Sequence, residues 1–205
     1  MKTPDTFLET HYRPLRFNAG RESLSIRSLA RRLERPEGHE DYLDINPNYQ
    51  REHVWSKEQA SFFMGHILEG GWVSPFVIRR YDSLRVSPSV RADELNVYDK
   101  PCPPDEVVDG KQRLTAILDW YHNKIPAILS NKDTLFLSEL SKEDQRYITG
   151  MSGPVFTMGY VILSDLDVLK LYVRLNRGGT VHTKEEIDRV YDMIDDLTKK
   201  IESEE

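Results

Sequence analysis

At 205 residues, 39% hydrophobic and 30% charged, the chain is long enough for one domain with a sizeable core. It has no tract approaching the ~18 consecutive apolar residues of a transmembrane helix, which predicts a soluble protein with no membrane partner. A net charge of −6 argues against general electrostatic adhesion to nucleic acid, because such binding depends on Lys and Arg neutralising phosphates.

The charge is uneven along the chain. Arg13, Arg16, Arg21, Arg27, Arg31, Arg32 and Arg35 come early, and acid is concentrated from Glu185 to Glu205. Cys102 is the single cysteine, so no internal disulfide can form, and Met1 to Thr10 lacks the apolar stretch of an export signal. These features point to the cytoplasm.

Residues 1–21 show no period and include Pro14 and Gly20, which predicts an extended arm. The folded domain is expected over 22–195, followed by an acidic, frayed tail over 196–205. From Ser25, the apolar residues Ile26, Leu29, Ala30 and Leu33 recur at helical spacing with arginines opposite, until Pro36 and Gly38 stop the pattern. Tyr42-Leu43-Asp44-Ile45 is a brief strand closed by the turn formers Asn46-Pro47-Asn48, so Tyr49-Gln50-Arg51 emerge from a turn.

Ser56 and Gln59 form a capping box for a helix through Phe62, Phe63, Ile67 and Leu68 that ends at Gly70-Gly71. A strand is predicted over 75–81 and a hairpin or ordered loop over 82–96. Glu106-Val107-Val108 is a short apolar strand, and Leu114, Ile117, Leu118 and Tyr121 set a helical period immediately after Gly110. An irregular stretch follows Pro126. Next come a short helix from Ser141 to Ile148, a strand from Val155 to Leu163, and a helix through Leu166, Leu169, Leu171 and Val173 capped by Ser164 or Asp165. Asn176-Arg177-Gly178-Gly179-Thr180 reads as a loop, and Thr183 with Glu186 caps a last helix. The order of elements predicts an α+β domain with a small mixed sheet packed with helices.

A strand delivering a glycine turn into a helix is a ready anion site, because the helix N-terminus presents unpaired N–H groups and a partial positive charge. Around Gly110, Lys111 and Arg113 add cations and Gln112 can donate and accept. Asp109 can hold Mg²⁺, orient a water or accept from a ribose hydroxyl. The set suits a nucleotide phosphate. The plain alternative is that Asp109 is an N-cap and that Lys111 and Arg113 are solvated first-turn residues.

Three motifs in series carry a resemblance: Tyr49-Gln50-Arg51 with Val54-Trp55, Asp109-Gly110-Lys111-Gln112-Arg113-Leu114-Thr115, and Arg174-Leu175-Asn176 with Gly178-Gly179-Thr180. Their order and spacing over roughly residues 22 to 190 resemble the GmrSD-type restriction endonuclease N-terminal domain, of the ParB/sulfiredoxin-like superfamily.

The resemblance implies a ParB/sulfiredoxin-like core with a DGQQR-like motif. In several members it also implies NTP hydrolysis that powers or licenses DNA cleavage in phage defence by restriction. Catalytic roles then fall on Asp109, Gln112 and Arg113. Nucleotide contacts fall on Tyr49, Gln50, Arg51, Gly110, Lys111, Thr115, Asn176 and Arg177, and a possible Mg²⁺ rests on Asp109. Lys111 stands where the family most often has Gln, which keeps a donor, adds charge and loses an acceptor, so hydrolysis that depends on that glutamine is weakened here. His182 departs from an apolar position.

Tyr49 and Trp55 also make sense as core anchors, and Asn176 before Gly-Gly is what a helix C-terminus needs in any case. His11, His39, His53, His66, His122 and His182 show no zinc spacing. His53 beside Arg51 is a candidate general base or a plain surface residue.

The leading expectation is thus an NTP-binding, NTP-hydrolysing module that takes nucleotide as substrate or ligand, contacts DNA and acts with a separate nuclease subunit. Two alternatives stay open. One is a catalytically silent DNA- or protein-binding regulatory module. The other is a direct ParB-like nickase built on Asp109 and His53.

Overall fold

The computed structural model describes residues 20–39, 41–52, 54–80, 104–176 and 184–204. His53, Cys102, the predicted 82–96 hairpin, and the 177–183 segment with Arg177, His182 and the Thr183 cap lie outside them. The elements are β1 (Arg21–Ser25), α1 (Ile26–Leu33), β2 (Leu43–Asp44), α2 (Lys57–Leu68), β3 (Phe76–Arg79), β4 (Asp105–Asp109), α3 (Lys111–Tyr121), β5 (Ala127–Ile128), β6 (Thr134–Leu135), α4 (Lys142–Thr149), β7 (Val155–Val161), α5 (Asp165–Asn176) and α6 (Lys184–Glu204).

Five strands make one mixed sheet in the order β1-β7-β3-β4-β2. The pairs β1/β7 and β3/β4 are antiparallel, and β7/β3 and β4/β2 are parallel. The expected small mixed sheet packed with helices is what forms.

Successive side chains of a strand point to opposite faces, so the central strands feed two cores. Phe76, Ile78, Val107, Phe156, Met158 and Tyr160 join α1, α2 and α3 in the larger cluster. Val108 and Val161 pack with Val168, Leu169, Tyr172 and Val190 from α5 and α6 on the other face. Removing a side chain such as Ile78 or Val107 from water contributes roughly 1.5–3 kcal/mol. Trp120, fully buried, donates its indole N–H to the Leu135 carbonyl at 3.0 Å, tying α3 to the β5/β6 hairpin.

Local signals act where they are written. Ser25 caps α1, and Ser56 with Gln59 forms a complete capping box on α2. Ser141 caps α4, and Ser164 accepts from the Asp167 amide at 3.1 Å ahead of α5.

Three elements depart from the sequence prediction. β1 begins at Arg21, inside the span predicted as an arm. Its run Arg-Glu-Ser-Leu-Ser has one apolar residue and becomes a strand because it pairs along the edge with β7. The β5/β6 hairpin fills the stretch predicted as irregular after Pro126. The frayed tail expected over 196–205 is instead helix through Glu204, continuous with a segment whose Met193, Ile194 and Leu197 pack on the second core. No described helix is long and apolar enough to cross a membrane.

Candidate functional site

The glycine turn sits where β4 ends. Asp109 is the last residue of the strand, Gly110 holds φ +116° at the N-cap, and no side chain caps α3. The turn admits only glycine for two reasons: the positive φ, and a Cβ at Gly110 would lie 2.3 Å from Phe76 Cδ1. The first-turn amides therefore keep the positive end of the helix dipole.

This turn forms one wall of a cleft of about 260 Å³. Gln50, Arg51 and Trp55 form a second wall, and Tyr172, Leu175 and Asn176 at the end of α5 form the third. Segments far apart in sequence are thus brought together.

Most polar groups in the cleft are committed to holding it. The Lys111 ammonium, largely buried, donates to the Arg51 carbonyl at 2.5 Å. Burial holds this lysine below its usual pKa range and Arg51 adds to that, while Glu52 and Asp44 pull it back. Gln112 Oε1 accepts from the Val54 and Trp55 amides at 3.1 and 3.2 Å, and its Nε2 donates to the Glu52 carbonyl at 3.3 Å.

Arg113 donates to Asp109 Oδ2 at 2.7 Å and to the Ser74 carbonyl and hydroxyl at 2.7 and 2.6 Å, above the Phe76 ring. Burial lowers its pKa against the pull of Asp109. Gln50 donates to the Val107 and Val108 carbonyls at 2.8 and 3.0 Å, pinning the 49–51 turn to β4.

The remaining predicted residues fall in two groups. Arg51 lines the cleft and pairs with Glu186 of α6 at 3.7 Å, and Asn176 lines it while donating to the Tyr172 carbonyl at 2.8 Å. Tyr49 and Thr115 are not among the lining residues. Tyr49 is 3% exposed, donates to Glu106 and packs edge-on against Tyr172. The Thr115 hydroxyl donates back to the Lys111 carbonyl at 2.9 Å, inside the helix.

The structure adds residues that the sequence did not single out. Tyr172 lines the cleft and is recognisable in sequence only as an apolar helical position; burial raises its pKa, with Arg51 opposing. Ser74, which holds Arg113, carries no sequence signal. Nor does Arg189, which donates to the Gln50 carbonyl at 3.2 Å from α6. Trp55, expected as a core anchor, packs on Phe63 and also lines the cleft.

Fold and cleft together define a mixed α/β domain in which three separated motifs converge at one end of the central strands. The model of the GmrSD restriction endonuclease N-terminal domain matches residues 35–196, and the chain belongs to that family. None of the curated proteins matches it. Among solved structures, it is similar to the C-terminally truncated chromosome-partitioning protein ParB from Caulobacter crescentus complexed with CTP-gamma-S, at 16% identity and a TM-score of 0.37. That match covers 89% of this chain and 65% of the ParB chain, less than two thirds of it. Nothing about the site follows from a likeness at that level.

Proposed function

We propose that the cleft binds a nucleoside triphosphate, with the phosphates at the Asp109–Arg113 turn, as part of a restriction system that cleaves DNA through a separate nuclease subunit. The observation that carries this reading is the composition of the cleft. An uncapped helix N-terminus meets Arg51, Lys111 and Arg113 there, with Asp109 the one carboxylate among the described lining residues. An anion is favoured at such a place. Tyr172, Trp55 and Leu175 offer apolar surface for a base or ribose.

The donor set also suits a particular kind of magnesium site. No group of three or more His, Cys, Asp or Glu that could hold a metal is found among the described residues. A Mg²⁺ resting on the single carboxylate of Asp109 would be of the kind that arrives on phosphate oxygens. Bound there, it would neutralise phosphate charge. Arg113 would hold Asp109 in place, and Arg51 would meet the phosphates from the facing loop.

A second reading, binding without hydrolysis, is favoured by Gln112. Both ends of its amide are occupied by the 52–55 backbone, so any orienting of substrate or water by Gln112 acts through that loop. Calorimetry with ATP, GTP, CTP and UTP plus Mg²⁺, followed by phosphate release with and without DNA, separates the readings. Binding that Arg113→Ala removes in a folded variant supports the site. Release of phosphate makes the protein a hydrolase, and binding with no release makes it a silent module. Absence of binding by any of the four nucleotides overturns the proposal.

A further inference from the structure

The part-buried arginines of the described residues follow one rule with one exception. Arg32 pairs with Glu22 and Asp105, Arg51 with Glu186, Arg79 with Glu106 and Asp165, Arg80 with Asp105, and Arg113 with Asp109. That is what desolvating a guanidinium requires. Arg27 alone departs. Its hydrogen bond is to a neutral group, the Thr149 hydroxyl at 2.7 Å, and no described carboxylate lies within ion-pair distance of it.

Arg27 lies in a groove of about 440 Å³ between α1 and α4, with Lys142 and Arg146 among its other walls and no carboxylate lining it. The acidic residues nearby are turned to other tasks. Glu34 pairs with His122 at 2.5 Å, Glu139 accepts from the Phe136 amide at 2.7 Å, and Asp144 accepts from the Ser141 hydroxyl at 2.6 Å. Glu143 is exposed on the first turn of α4 and is not a lining residue.

Neutral groups complete the lining. Asn123, with φ 57°, uses its side-chain oxygen to accept from the Ser138 amide at 2.7 Å, which leaves its amide N–H₂ as a donor. Ser138 and Gln145 are further polar lining residues. Three cations with added neutral donors and no counter-charge make an anion site.

We propose that this groove is a second phosphate site, distinct from the motif-lined cleft, and that it takes a phosphodiester of a nucleic-acid backbone. A strand is favoured over a free phosphate because the cations do not close round one point. Arg27 and Arg31 stand four residues apart on α1, on one helix face, and Arg31 is exposed beyond the groove. The positive surface therefore continues along a line, as a backbone of evenly spaced phosphates requires. A net charge of −6 makes such binding local, and opposite in character to the acidic face of α6.

The test is fluorescence anisotropy of the full chain with a labelled 20-base-pair duplex and with its single strand, each titrated at several salt concentrations. Nucleotide is left out so that the result is independent of the motif-lined cleft. Arg146→Gln and Lys142→Gln, both at exposed positions, are expected to weaken binding about 3- to 10-fold each and to lower the salt slope by about one phosphate contact. Lys199→Gln, an exposed charge change on α6, is expected to leave binding as it is. Arg27→Gln is read only if its thermal melt matches wild type.

Equal losses from all of the charge variants, no binding of either oligonucleotide, or displacement of both by millimolar inorganic phosphate at constant ionic strength would overturn the proposal. The last result would mean a free-phosphate site.

Discussion

The Lys111 ammonium donates to the Arg51 carbonyl at 2.5 Å, across 60 residues of chain. With Gln112 bonded to the backbone at 52, 54 and 55, the first turn of α3 grips the loop that forms the opposite wall of the cleft. A glutamine at 111 would offer the same carbonyl an amide donor. Exchange of Gln for Lys at this position therefore bears on how the loop is held, whatever it does to a bound ligand.

Lys111→Gln is expected to keep that loop ordered, and Lys111→Met to loosen it. Removing a desolvated ammonium offsets the cost of leaving a carbonyl without its donor, each of order 1–3 kcal/mol, so global stability should move by only about 1 kcal/mol. Hydrogen exchange reads the difference. The Val54 and Trp55 amides should exchange faster in Lys111→Met and at the wild-type rate in Lys111→Gln, and equal rates in all three would refute the grip.

Gly110→Ala should destabilise the domain by about 2–5 kcal/mol. The backbone term for a non-glycine at positive φ is roughly 1–2 kcal/mol, and pushing a methyl into the Phe76 ring adds an overpacking cost of ~1–3 kcal/mol. Urea unfolding with unchanged m-value checks this. A loss under 0.5 kcal/mol would mean that β4 and α3 are joined differently.

Glu186→Gln should tighten nucleotide binding about threefold. A part-exposed ion pair is worth about 0–1 kcal/mol, and the Glu186 carboxylate, paired with Arg51 at 3.7 Å, would compete with a phosphate bound as proposed. Calorimetry on the variant reads the ratio, and weaker binding would assign Glu186 to positioning Arg51 instead.

Tyr160 carries the alkaline prediction. Burial and a hydrogen bond to Glu22 push its phenol up to about 12, against the pull of Arg32, and the Arg80 guanidinium lies 3.6 Å above its ring. The folded state holds the proton more tightly than the unfolded chain does. This contribution to stability is therefore complete below pH 10 and lost as pH rises from 10 through about 12. Tyr160→Phe should flatten that part of the stability profile and remove a component near pH 12 from the 295 nm absorbance. A titration in which the variant and wild type differ by a component near pH 10 would contradict it.

The sequence alone determined the helices with caps and the strand-turn-helix at Gly110, because those signals are local: a Ser or Gln three residues away, a helical period, a glycine where φ must be positive. It also carried the family, since three motifs in order need no coordinates. The tertiary structure decided the rest. Edge pairing made a strand of Arg21–Ser25, and packing on the second core continued α6 through residues predicted to fray. Burial withdrew Tyr49 from the cleft, and the approach of the facing loop gave Lys111 and Gln112 backbone partners at Arg51, Val54 and Trp55 while they still line the cleft. A side chain's residue type states what it can bond to, and only the fold decides which partner is within reach.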